Sequence, residues 1–240
     1  MKYELYEVGG KIRDEFLGLQ SKDVDYSVVI EGRSSYPIGE VFDNFVEQIK
    51  SEGYIVFKET PEMFTVRAKF PKDHVHAGLD ADFVLARKEL GYIKGTRQPE
   101  VVLGDLHDDL LRRDFTVNAL AKDIDGNIVD LFQGQRDLQN RILRTPTDAA
   151  VSFNDDPLRI LRAMRFSITK SLDWADELWR VLDTFDATKL EVVSVERKRD
   201  ELYKCFKFDT RKTFEFLRSI ALCNYPLYEA ILPKELWQEL

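Results

Sequence analysis

The periodicity of the apolar residues changes once along this chain, near residues 140–150, and that change divides what the two parts can fold into. Ahead of it, short runs suited to strands alternate with runs at helical spacing. ELYEV is followed by a Gly-Gly break, by KIRDEFLGL at helical spacing, and by the strand-like DYSVVI. The pattern predicts a helix over Ile38–Ser51, strands in YIVFKE, FTVRAKF and ADFVLAR, a helix across DDLLRRDFTVNALA, and a hairpin turning at Asp125-Gly126. From about Asn140 onward no further strands are expected. Asp156-Pro157 supplies an N-cap and a first-turn proline to a helix whose apolar stripe runs through Leu158, Leu161, Met164 and Ile168. Further helices are predicted over 174–185, 195–206 and 210–222. A chain patterned this way is α+β: a mixed β-sheet with helices over residues 1–145, then an all-helical part over 146–240.

With 240 residues and 44% apolar side chains, the chain can bury a sizeable core. No apolar run is long enough to span a bilayer, and no secretory pattern opens the sequence, so a cytoplasmic protein without membrane contact is expected. Cys205 and Cys223 stand far apart, which argues against a disulfide framework or a clustered cysteine metal site. The net charge of -8 weighs against broad phosphate contact, but it is unevenly spread. Residues 1–140 carry 18 basic against 26 acidic side chains, whereas residues 141–240 carry 17 of each. Within 189–218, nine basic residues face six acidic ones, which fits either a local basic surface or a solvated helix face.

Two features point to chemistry. Asp23 and Asp25 stand at i and i+2 at the start of a predicted strand, so their side chains project from one face. Carboxylates that close repel unless a cation lies between them, and Mg²⁺ takes this kind of oxygen donor together with phosphate oxygens and water. Short polar turns before strands also produce Asp-x-Asp. The Gly9-Gly10 pair lies just upstream between a strand and a helix, where small residues let a ligand approach the backbone. The helix start that follows offers N–H groups and a positive dipole end to a triphosphate, and Arg13 adds a fixed charge. A plain tight turn would use the same two glycines.

Taken together, YEVGGKIRDEFLGLQSKDVDYSVV resembles the opening signature of the class II tRNA nucleotidyltransferase and poly(A) polymerase family. LDADFVLARKE, LLRRDFTVNALA and NDDPLRILRAMRF resemble further segments of that family in the same order, and ERKRDEL fits its E-R-x-x-x-E pattern through Glu196, Arg197 and Glu201. The resemblance covers about the first 200 residues. It implies a nucleotidyltransferase head of the DNA polymerase beta type over 1–145, followed over 146–240 by a helical neck and a short, truncated body, since family members continue into body and tail domains that grip tRNA.

Carried onto this sequence, the resemblance makes Asp23 and Asp25 the metal ligands. Gly9, Gly10 and Arg13 become the triphosphate cradle, and Arg113 a nucleotide contact. Asp82 is the implied third catalytic carboxylate, with Asp80 as the alternative on the same strand face. Asp156 and Arg159 match residues that hydrogen-bond the incoming base, and Arg162 and Arg165, stepping by three along one stripe, would face phosphate or ribose. Asp156 can serve as an N-cap at the same time. Asp155 departs from the family, which often has Glu there. The implied activity is CCA addition to the tRNA 3′ end from CTP and ATP with Mg²⁺. The segment KELGYIKGTRQPEVVLGD, read as a loop similar to the flexible loop of full CCA-adding enzymes, favours that activity over CC addition, A addition or poly(A) synthesis. A non-catalytic RNA-binding module is the rival from another class, and it would have no need of paired carboxylates.

Overall fold

The computed structural model describes residues 1–20, 24–32, 37–92 and 99–237. The chain forms two compact units. The first comprises Met1–Leu90, Glu100–Arg113 and Val117–Gln135, and the second comprises Gly91–Pro99, Asp114–Thr116 and Arg136–Leu240.

The first unit is built on a seven-stranded mixed sheet. In chain order its elements are β1 (Tyr3–Val8), α1 (Gly10–Phe16), β2 (Asp25–Ile30), α2 (Ile38–Ser51), β3 (Ile55–Thr60), β4 (Thr65–Lys69), β5 (Asp80–Leu85), β6 (Arg87–Tyr92), β7 (Pro99–Leu103), α3 (Leu106–Leu111), β8 (Leu120–Lys122) and β9 (Ile128–Asp130), except that the last two residues of β6 and the first of β7 belong to the second unit. The strand order is β3-β4-β5-β2-β1-β8-β9, with β2 and β5 parallel and the other neighbours antiparallel. One face is closed by α2, whose Val41, Phe42, Phe45, Val46 and Ile49 repeat at helical spacing and pack on Tyr26, Val28, Val66, Ala68, Phe83 and Leu85. Tyr26 and Phe83 stack at 5.3 Å between ring centroids, which fixes the core-facing side of β2 and β5. On the β1–β8 side, α3 inserts Leu110 against Val8, Ala119 and Ala121.

Gly104 shows how tightly this unit closes. A Cβ there would lie 2.7 Å from the backbone of Arg87 and Lys88, so only glycine lets Gly104 N–H reach the Ala86 carbonyl at 2.9 Å.

The second unit is helical, with two two-residue strands. It holds α4 (Gly134–Asn140) from Arg136 onward, β10 (Ile142–Leu143), α5 (Ala149–Asp155), α6 (Leu158–Lys170), β11 (Asp173–Trp174), α7 (Asp176–Thr184), α8 (Val195–Phe208), α9 (Thr210–Cys223) and α10 (Tyr225–Ile231). The central helix α6 buries Leu158, Ile160, Leu161, Ala163, Met164, Phe166 and Ile168, and even its Arg159. Among the described residues, no helix is long and apolar enough to cross a membrane.

Three expectations are corrected. The helix expected across DDLLRRDFTVNALA stops at Leu111, where Arg112 and Arg113 turn back onto Asp109. Beyond it residues 115–121 are buried throughout: Thr116–Asn118 form a single 3-10 turn, and Leu120–Lys122 pairs with β1 and β9. Strands do not end at Asn140, because β10 and β11 pair in parallel. The segment read as a loop from Lys88 onward itself carries β6 and β7, which pair as a two-stranded ribbon, and residues 93–98 lie outside the described residues.

Candidate active site

The geometry of the site follows from the register of β2 and β5. Asp25 and Asp82 are direct neighbours across the two parallel strands, as are Tyr26 and Phe83 one position on. Since Tyr26 and Phe83 face the core, Asp25 and Asp82 share the opposite face, on strands roughly 5 Å apart. Asp80 points to the same side but is paired with Lys69, at 3.5 Å, one step further from Asp25. Arg67 lies 3.7 Å from Asp82 Oδ1, so one cation already faces that carboxylate. Asp23 lies outside the described residues.

β1 delivers the second component. Val8 is the register partner of Asp25, so Gly9, the next residue, turns the chain beside that carboxylate. Its φ of 80° with ψ of -135° belongs to a region that essentially only glycine visits. A Cβ on Gly9 would stand 3.1 Å from Arg113 Nη1 and 3.9 Å from Asp25 Oδ2. The missing side chain therefore lets this guanidinium and this carboxylate come close to the Gly9 backbone.

Arg113 reaches Gly9 because Leu110, three residues earlier, anchors α3 against Val8. Its Nη2 donates to Asp109 Oδ2 at 2.9 Å, and its Nη1 donates to the Asn118 carbonyl at 3.5 Å. Burial acts to raise the Asp109 carboxyl, but the charges and hydrogen bonds of Arg112 and Arg113 outweigh it and hold the pKa at about 2. Arg13, in α1, is buried: its Nη1 donates to Asn118 Oδ1 at 2.6 Å and its Nε to Asp14 Oδ1 at 2.8 Å. Asn118 thus accepts from both arginines. Gly10 accommodates Arg13, whose Nη2 would come within 3.3 Å of a Cβ there.

The residues expected to read the base lie in the second unit. Asp156 Oδ1 accepts from the Leu158 N–H at 3.1 Å and so caps the start of α6. Arg159 is buried and donates from Nη1 to Ser152 Oγ of α5 at 2.7 Å. Arg162 Nε donates to Asp114 Oδ2 at 2.8 Å, and that carboxylate's charge holds the guanidinium pKa above its ordinary value. Arg165 packs over Phe166, 4.2 Å from its centroid, and is bound by Glu201 of α8. The stripe of arginines therefore divides among three different partners. Glu201, flagged in the sequence through E-R-x-x-x-E, is the buried acid that ties α8 to α6.

Asp109, Asn118 and Asp14 were not singled out by the sequence reading. Asp109 was within its reach, because Asp at i with Arg at i+3 and i+4 is a helical ion-pair spacing. Asn118 and Asp14 carry no such local mark. One further acidic group, Asp105, His107 and Asp108, has ligand atoms within 4.8 Å of one another and so could hold a metal ion. Its two aspartates already cap α3 reciprocally: Asp108 N–H donates to Asp105 Oδ1 at 2.9 Å and Asp105 N–H to Asp108 Oδ2 at 3.2 Å.

This is the architecture of a nucleotidyltransferase head followed by helices. Residues 5–144 match the family described as the poly A polymerase head domain, and the chain belongs to that family. Among curated relatives, the CCA-adding enzyme of Staphylococcus aureus (strain MRSA252) is 33% identical over 230 residues, covering 94% of this chain and 52% of the relative. Among solved structures, the CCA-adding enzyme of Bacillus stearothermophilus in complex with CTP superposes with a TM-score of 0.74 at 27% identity, over 99% of this chain and 51% of that one. A tRNA nucleotidyltransferase complexed with a primer tRNA and an incoming ATP analog gives a TM-score of 0.70 at 28% identity, over 99% and 61% respectively. The chain spans about half the length of the curated relatives it matches.

Proposed function

We propose that this chain carries the catalytic part of a tRNA nucleotidyltransferase, which adds CCA to the 3′ end of tRNA from CTP and ATP. The observation that carries the proposal is the Asp25–Asp82 pair, side by side on one sheet face next to Gly9 and the Arg113 guanidinium. The names of the relatives support the same reading.

In this proposal Asp23 and Asp25 hold Mg²⁺, and Asp82 serves as the third carboxylate. Asp25 and Asp82 fit the ion: both present hard carboxylate oxygens on a face turned away from the apolar core. When bound, Mg²⁺ would polarise the phosphoryl oxygens and make the attacking hydroxyl easier to deprotonate. Asp82 accepts or orients the proton of that hydroxyl. Gly9, with no side chain to intrude, lets a phosphate approach the backbone beside Arg113, which donates to its oxygens. Gly10 and Arg13 complete the cradle, with Arg13 held from behind by Asp14 and Asn118. Asp156 and Arg159 select the base in place of a template strand, one accepting and the other donating. Arg162 and Arg165 serve ribose or phosphate. The chemistry is thus assigned to residues 1–145 and the choice of base to residues 146–240.

The test uses tRNA lacking its last three nucleotides, Mg²⁺, and each triphosphate alone and in combination, with the added residues counted on a sequencing gel. Addition of C, C and A in order is the expected result, and no addition under any combination sinks the proposal. The family's name favours one second reading, poly(A) synthesis, which would appear in the same gel as a ladder with ATP alone.

A further inference from the structure

We propose that Asp109 is a positioning residue that holds the Arg113 guanidinium in place beside Gly9, so that nucleotide binding depends on a carboxylate that never touches the nucleotide. The inference rests on the reading of Arg113 as a triphosphate contact.

Asp109 sits on α3 and is only 1% exposed, so it can meet neither substrate nor solvent. Each of its oxygens is used. Oδ1 accepts from Arg112 Nε at 3.0 Å, and Oδ2 accepts from Arg113 Nη2 at 2.9 Å. The Asn118 carbonyl accepts from the opposite terminal nitrogen of Arg113. Gripped at both ends, the planar guanidinium has one orientation, and that orientation places Nη1 against Gly9. The same placement leaves Arg113 Nε buried with no hydrogen-bond partner. Such an N–H is costly, which marks the position of this side chain as imposed by its partners at the other two nitrogens.

Two physical effects of removing the carboxylate oppose each other, and that makes the idea decidable. Asp109→Asn raises the local positive charge, which by Coulomb attraction alone would tighten triphosphate binding. It also frees Arg113 from its fixed geometry, which weakens binding if orientation is what matters.

The experiment is titration calorimetry of CTP and ATP with Mg²⁺ on the chain and on Asp109→Asn, Asp109→Glu, Arg113→Ala and the Asp109→Asn/Arg113→Ala double variant. The arginine Nε–H resonances are recorded by ¹⁵N NMR in parallel. Asp109→Asn is expected to lose about tenfold or more in affinity, and Asp109→Glu to recover part of it. In the Arg113→Ala background Asp109→Asn should then cost less than about twofold, because the residue it orients is already absent. The Arg113 Nε–H resonance should be distinct in the parent chain and lost to exchange in Asp109→Asn. Unchanged or tighter binding by Asp109→Asn overturns the proposal, and so does an equal loss in both backgrounds. If Asp109→Asn fails to fold, Asp109→Glu carries the comparison, and affinity equal to the parent's then overturns it. Absence of triphosphate binding by the parent chain overturns the site reading and this inference with it. A parent that binds while Asp109→Asn binds equally well overturns the inference alone.

Discussion

Gly9 concentrates several demands on one residue. Its backbone lies where a side chain is strained, and a Cβ would press on Arg113 Nη1 at 3.1 Å. Gly9→Ala is therefore expected to cost about 1–3 kcal/mol of stability, seen as a lower Tm in thermal unfolding, and to weaken triphosphate binding as well. Asp109 makes a prediction in pH. Its folded-state pKa, held at about 2, lies below the ordinary carboxylate value, so its contribution is fully present above about pH 4 and is lost as pH falls toward 2. A shift of that size corresponds to roughly 2–3 kcal/mol, and urea unfolding at stepped pH should show this part of the acid loss disappear in Asp109→Asn. The spacing from Asp109 to Arg112 and Arg113 was legible in the sequence. That Arg113 ends at Gly9 was not, because it depends on Leu110 docking against Val8 from another part of the chain.

At the scale of elements, α3 owes its start to the Asp105–Asp108 capping box and its seat to Leu110. Asp105→Ala should remove about 1 kcal/mol, measurable by urea denaturation, and should loosen the six-residue helix that carries Asp109. Gly104→Ala should cost more, since the added Cβ meets backbone 2.7 Å away and not a side chain that can turn aside. A loss of about 1–3 kcal/mol in thermal unfolding is expected. The strands were readable from period-two patterning wherever one face is buried, as in β5 with Ala81, Phe83 and Leu85 inward. The stretch after α3 misled because a charged, helix-like opening runs directly into a segment that is buried throughout, and local propensity does not say where the helix stops.

For the molecule as a whole, the proposal separates chemistry from choice. Asp25→Ala should abolish transfer of every nucleotide, by about 10³-fold or more in single-turnover assays, while leaving the protein folded by circular dichroism. Arg159→Ala should instead blur discrimination among CTP, ATP, UTP and GTP more than it lowers overall triphosphate affinity. Because Arg159 is buried against Ser152, its variant also needs a melting curve, and an equal loss for all four nucleotides would remove it from base selection.

Periodicity, capping residues and glycine pairs are local signals, and on their own they determined that a mixed sheet precedes a helical part, that Gly9 and Gly10 stand between a strand and a helix, and that Asp25 opens a strand. They also marked Asp156 as the cap of α6, where its side chain takes the Leu158 N–H. What they left open was which of Asp80 and Asp82 stands beside Asp25. Strand order and register decide that, placing Asp82 opposite Asp25 and leaving Asp80 to Lys69. Register follows from burying Tyr26 and Phe83 against α2, and hydrophobic burial is non-directional. It is a property of the assembled core, so no window of sequence around either aspartate contains it.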